Sequence, residues 1–148
     1  MSRGSSGPLL PTELPTQSSQ LRLTLEAPAR APLGEPVPLV FTATNPGESP
    51  VALYLMGRDP TADFEATDSQ GRKVWSRLHG QVGMAPLRLL SLDAGQRLSF
   101  RHEWNQLSDT GNPVPPGSYV IRAVLLTDVP GGLASPPARL RIERPSGE

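Results

Sequence analysis

Residues 97–104 read "RLSFRHEW", an octet in which polarity switches at every step. Leu98, Phe100, His102 and Trp104 take one parity, and Arg97, Ser99, Arg101 and Glu103 take the other. Successive side chains of an extended chain point to opposite faces, so the octet predicts a strand with one packed face and one wetted face. His102 falls on the packed parity.

The same reading extends outward in both directions. Leu21, Leu23 and Leu25 alternate with Arg22, Thr24 and Glu26, and Val37, Leu39, Phe41 and Ala43 repeat the pattern after a turn-rich gap. Val51 to Leu55 is nearly all apolar, as expected of a more deeply buried strand. In "DFEATDSQGRKVW" (63–75), Phe64 and Ala66 precede Asp68-Ser69-Gln70-Gly71, and Val74 and Trp75 follow, which is a hairpin signal. A further apolar run spans Leu87 to Leu92, and residues 119–127 and 138–143 complete the set. No segment carries a convincing 3.6-residue stripe, and 14 glycines and 18 prolines leave little room for long helices. About eight to nine short strands between turns predict an all-β antiparallel sandwich or barrel. Residues 21–144 would form it, and the Ser/Pro/Gly-rich residues 1–20 read as a flexible tail.

The totals narrow the function classes. Fourteen basic residues balance fourteen acidic ones, so no net field favours nucleic acid or an anionic membrane. Cysteine is absent, which removes disulfides, thiolate metal sites and cysteine nucleophiles. No apolar stretch is long enough to span a bilayer as a helix.

The sharpest catalytic pattern is Asp109-Thr110-Gly111, the tripeptide that holds a catalytic carboxylate in aspartic proteases. That chemistry needs two such aspartates sharing one proton, and the chain has one such tripeptide. The stretch "WNQLSDTGNPVPPGSY" (104–119) puts Asp, Gly, Asn and Pro where turn chemistry wants them, so it reads as a strand end, a stiff loop and a strand start. There is no Gly-x-Ser-x-Gly nucleophile elbow and no glycine-rich phosphate loop. The residues therefore predict neither an enzyme nor a cofactor. His79 and His102 lack the spacing of a local metal motif, which leaves a metal site built by the fold from them, with Met84 or an acid, as a minor alternative.

Three stretches taken together carry a resemblance: "GEPVPLVFTATNPGESPVAL" (34–53), "DFEATDSQGRKVWS" (63–76) and "LDAGQRLSFRHEWNQLSDTGNPVPPGSYVIRAVL" (92–125). In order and spacing they resemble the intracellular proteinase inhibitor family of bacteria, the BsuPI domain, over about residues 21–127. The resemblance implies an immunoglobulin-like β-sandwich that inhibits an intracellular subtilisin-like serine protease. It also implies a cytoplasmic location, whereas an export signal upstream would place the chain in the cell envelope. The shared residues read as structural, with Phe41, Phe64, Trp75, Phe100, Trp104 and Tyr119 as core. A second reading from a different class is an accessory interaction module of a cell-envelope assembly. Either reading makes the chain a monomer or a subunit of a hetero-complex with a protein partner.

Loops would carry such binding. If consecutive strands run antiparallel, connections 28–36, 57–62, 78–86 and 105–117 share one end of the sandwich, and 45–50, 69–72, 91–96 and 128–137 share the other. One crossover between sheets would change this sorting. The candidate contact residues are Arg58, Asp59, Gln106, Leu107, Asp109, Asn112, Val114 and Pro115. Pro113, Pro115 and Pro116 would stiffen the longest connection and so lower the entropy lost on docking.

Overall fold

The computed structural model describes residues 21–56, 62–78, 87–128 and 132–144. Eleven strands lie among them. They are β1 (Arg22–Glu26), β2 (Arg30–Pro32), β3 (Val37–Thr44), β4 (Val51–Met56), β5 (Ala62–Thr67), β6 (Lys73–Ser76), β7 (Leu87–Leu92), β8 (Arg97–Trp104), β9 (Gly117–Leu125), β10 (Leu133–Ala134) and β11 (Ala138–Glu143). The two short strands, β2 and β10, raise the number above the eight or nine that alternation predicts. They are three and two residues long, below the length at which a period of two can be read. The residues assigned to the N-terminal tail, 1–20, lie outside the described residues.

Hydrogen bonding sorts the strands into an immunoglobulin-like sandwich. One sheet has the order β2-β11-β9-β5-β6, with β10 also on β9; a second has the order β1-β3-β8; and β4 pairs with β7 as a ribbon. All pairings are antiparallel except β2 with β11. The alternating octet 97–104 is β8, and its register against β3 sets Phe41 opposite Phe100, Leu39 opposite His102 and Val37 opposite Trp104. Even-numbered residues of β8 turn inward while the odd-numbered ones stay exposed.

The core lies between the two large sheets. Val37, Leu39, Phe41 and Ala43 face Phe64, Ala66, Ile121, Ala123 and Leu125, all at most 1% exposed. Large residues sit beside small ones across the ladder: Ala123 pairs with Phe64, and Ala66 with Ile121. That alternation lets bulky side chains interdigitate without voids.

An aromatic file closes one end of this core. His102 lies 6.0 Å from Phe64 and 5.7 Å from Trp75, ring centre to ring centre, and nearly parallel to both. Trp75 stacks on Trp104 at 5.2 Å, and Trp104 meets Tyr119 edge-on at 5.9 Å. His102 and Trp104 come from one sheet, and Phe64, Trp75 and Tyr119 from the other, so the file ties the layers together.

The course of the strands decides which loops meet. β9 starts at Gly117, beside the 105–116 connection, and runs away from it. Its far end takes two partners in line: Leu125 pairs with Ala62, and the Met56 amide donates to the Leu126 carbonyl at 3.2 Å. β4 and β5 therefore run in the same direction along one edge of β9. The two residues that bracket 57–61 lie at the opposite end of the sandwich from 105–116, contrary to the sorting by strict alternation. The 68–72 turn moves the other way and joins 27–36 and 105–116, because Thr67 pairs with Val120 near the start of β9. At the opposite end, the buried Asn45 donates to the carbonyls of Ser49 (2.7 Å) and Leu92 (2.9 Å), fixing the 45–50 turn against the 93–96 turn.

Candidate functional site

Residues 105–116 form a hairpin-like loop whose shape follows from its sequence. Leu107 and Pro113 bridge across it. At its tip the Ser108 amide donates to the Asn112 carbonyl at 2.7 Å, and the Gly111 amide to the Ser108 carbonyl at 2.9 Å. Gly111 takes φ 86°, a left-handed conformation that glycine adopts without steric penalty. The Asp109-Thr110-Gly111 tripeptide is thus the turn itself. Asp109 also docks the turn onto β6: its amide donates to the Val74 carbonyl at 2.9 Å, and its Oδ1 accepts the Ser76 amide at 2.9 Å.

Gln106 carries the base of the loop. It is 1% exposed and holds φ 62°, the one left-handed non-glycine residue among the described residues. Its side chain reaches the 32–35 turn. Oε1 accepts the Gly34 amide, and Nε2 donates to the carbonyls of Pro32 and Glu35, each at 2.8 Å. Its own carbonyl accepts the Val114 amide at 2.9 Å. A buried amide group with its hydrogen-bonding capacity met in this way locks two loops that are about seventy residues apart in sequence into one unit.

The candidate contact residues divide accordingly. Leu107 (39% exposed), Asn112 and Pro115 face solvent, and Asp109 is half-buried. Gln106 and Val114 (4% exposed) point inward, so their place is beneath the surface and not on it. Between the two loops lies an open groove of about 520 Å³. Its walls are Leu33, Leu107, Pro113 and Pro115, and Arg144 stands at its rim. Leu33 and Arg144 were missed by reading the loop alone, since each comes from a distant part of the chain. Arg58 and Asp59 lie outside the described residues.

The metal alternative divides in the same way. His79 and Met84 lie outside the described residues. His102 sits in the aromatic file, and no group of three or more His, Asp or Glu residues suited to a metal ion occurs among the described residues. Burial, and then the nearby Arg77 guanidinium, hold the His102 pKa below its ordinary value, with Glu103 opposing. Between the ordinary histidine pKa, about 6.5, and the lower folded value, the unfolded chain binds more protons than the folded one. Stability contributed by neutral His102 is therefore complete above that ordinary value. It is lost as pH falls toward the folded pKa, below which it stays level. Urea melts between pH 7 and pH 5 should show this decline, and His102→Gln should flatten it. An unchanged slope in the variant would remove His102 as its source.

Tyr119 responds to burial in the other direction. Its pKa is raised chiefly by desolvation, with the Asp68 carboxylate adding to the shift, and its hydroxyl donates to the Pro115 carbonyl. The far side of the loop is thereby pinned to β9.

Among solved structures, similar chains include an alkylpurine DNA glycosylase from Pseudomonas fluorescens bound to DNA containing an abasic site analog, at 20% identity and TM-score 0.48, over 84% of this chain and 30% of that one. A CARDB domain from Pyrococcus furiosus in complex with di-metal ions is similar at 11% identity and TM-score 0.45, over 83% of this chain and 87% of that one. A β-glucosidase from Erythrobacter marinus is similar at 14% identity and TM-score 0.48, over 83% of this chain and 15% of that one. The chain thus spans under a third of the glycosylase and a smaller part of the glucosidase. No curated protein matches the chain. A family model described as BsuPI, intracellular proteinase inhibitor, matches residues 24–129, a span that holds the whole aromatic file and both clamped loops. The chain belongs to the BsuPI family of intracellular proteinase inhibitors.

Proposed function

We propose that this chain is a non-enzymatic inhibitor of a subtilisin-like serine protease, and that it binds through the end of the sandwich where the 32–35 and 105–116 loops meet. The family supports a proteinase as the partner. The observation that carries the choice of surface is the Gln106 clamp, whose three 2.8 Å hydrogen bonds hold the two loops in one arrangement before any partner arrives. Association loses free energy for every loop that must be ordered, and loops already ordered avoid that loss. A specific interface needs roughly 800 Å² from each side, more than one turn provides. The 32–35, 68–72 and 105–116 segments would share that face, with Leu107, Pro113 and Pro115 as apolar contacts and Arg144 and Asn112 at its margin.

The test is inhibition of protein hydrolysis, measured beside hydrolysis of small peptides, across a panel of serine proteases that includes intracellular subtilisin-like enzymes. Inhibition of at least one subtilisin-like member is expected. Leu107→Asp and Pro115→Asp should each raise the inhibition constant about tenfold or more, since each would bury an unpaired carboxylate in an apolar contact. A panel without inhibition would end this reading.

A further inference from the structure

A protease reads its substrate as an extended strand, through main-chain hydrogen bonds to an added β-segment. An inhibitor that imitates substrate must therefore offer free backbone N–H groups along several extended residues. The 105–116 loop does not. Ser108 gives its amide to the Asn112 carbonyl, Asp109 to Val74, Gly111 to Ser108 and Val114 to Gln106, at 2.7 to 2.9 Å. The amides of Thr110 and Asn112 both go to Ser108 Oγ at 3.3 Å. Pro113, Pro115 and Pro116 have no amide to give. From Ser108 to Pro116 each N–H is thus donated within the chain or absent.

The carbonyl side is held as well. Trp104 Nε1 donates to the Leu107 carbonyl at 2.9 Å, and the Tyr119 hydroxyl donates to that of Pro115. Dihedral angles add an independent bar, since Gln106 at φ 62° and Gly111 at φ 86° lie outside the extended region. Opening the loop into a strand would break the Gln106 and Asp109 attachments together.

Resting on the protease-inhibitor reading above, we infer that the 105–116 loop engages its protease by side chains alone, as a rigid face set against the enzyme outside its substrate cleft. It is not threaded through the cleft as a pseudo-substrate. The protease supplies an apolar projection for the groove between Leu33 and Leu107. Inhibition then comes from the bulk of the sandwich obstructing large substrates.

Binding of the full chain to a subtilisin-like protease, free and with its cleft filled by a peptidyl chloromethyl ketone, tests this. The expected result is a Kd that agrees within about threefold between the two forms, weakened about tenfold or more in both by Leu107→Asp. No cut is expected between residues 105 and 116 after prolonged incubation. Loss of binding to the filled form, a cut within 105–116, or an unchanged Kd for Leu107→Asp would each overturn the inferred mode while inhibition itself stood. A thermal melt of Leu107→Asp separates a lost contact from unfolding as the source of weakened binding. Absence of binding to either form, with no inhibition anywhere in the panel, would instead remove the function on which the mode rests.

Discussion

Gln106→Ala should destabilise the fold by about 3 kcal/mol, an unusual cost for a residue that belongs to a loop. The side chain satisfies three part-buried backbone groups at 2.8 Å: the Gly34 amide and the carbonyls of Pro32 and Glu35. Truncation strands the Gly34 amide and the Glu35 carbonyl and leaves the Pro32 carbonyl with only the Glu35 amide at 3.2 Å, and a buried polar group without a partner costs about 1–3 kcal/mol. Some of that is recovered as water enters from the adjoining groove. Two further variants separate the clamp from the backbone strain. Gln106→Gly removes the side chain but relieves φ 62°, so it should be less harmful than alanine by up to about 1 kcal/mol. Gln106→Glu keeps the acceptor for Gly34 but loses both donated bonds and buries a charge, so it should be at least as harmful as alanine. Urea denaturation measures the order, and hydrogen exchange at the Gly34 amide reports the release of the turn. If the Gly34 amide exchanges no faster in Gln106→Ala, the clamp is not what joins the loops. The same variant should weaken protease binding even where the fold survives, because the two loops would then have to be ordered on docking.

How far the sequence foretold this arrangement differs from residue to residue. Alternation in β8 and β3 placed Leu98, Phe100, Trp104, Leu39 and Phe41 on the packed face, since the period of two is local and each residue reports its own side. The turn nature of Asp109-Thr110-Gly111 was legible for the same reason. Gln106 was not. It is polar, sits among turn residues and reads as exposed, and the three groups that make its burial favourable lie 71–74 positions away. Burial of a polar side chain depends on partners that only the tertiary fold assembles. β2 escaped notice because its three residues pair in parallel with β11, at the far end of the chain. The apolar run Leu87–Leu92 forms one strand of a two-stranded ribbon. In a two-stranded ribbon one face stays open, and Leu89 is 57% exposed while Leu92 is 3% exposed. Loop sorting failed where β4 and β5 run in the same direction along β9 without a reversal between them, which moves the 68–72 turn as well as the residues that bracket 57–61, and leaves Leu78 beside Asp63 at the opposite end from 105–116.

Trp104→Ala should be the most damaging single substitution, with a loss of about 4 kcal/mol or more, enough to leave a domain of this size marginal or unfolded. The indole is 1% exposed and lies where the aromatic file meets the 105–116 loop. One side stacks on Trp75 and one edge meets Tyr119, so removing it opens a cavity between the sheets that those rings cannot close without leaving their own neighbours. Its Nε1 also donates to the Leu107 carbonyl at 2.9 Å, so the residue that ends β8 holds the first exposed apolar contact of the loop. Trp104→Phe tests that second role by itself. It keeps an aromatic ring in the file and removes the donor, leaving the Leu107 carbonyl without this bond and costing about 1–2 kcal/mol in stability. The ring contacts and the loop contact then make different demands on binding. If the indole serves only the core, Trp104→Phe should bind protease as tightly as the parent once folded. If it also sets the position of Leu107, affinity should fall by about threefold to tenfold in chain that is fully folded, mostly through faster dissociation. The second outcome is expected, because the bond is the direct link between the core and the loop's exposed face. Parent-like affinity in a folded Trp104→Phe would confine the tryptophan to packing and leave the Gln106 clamp as the device that sets the loop.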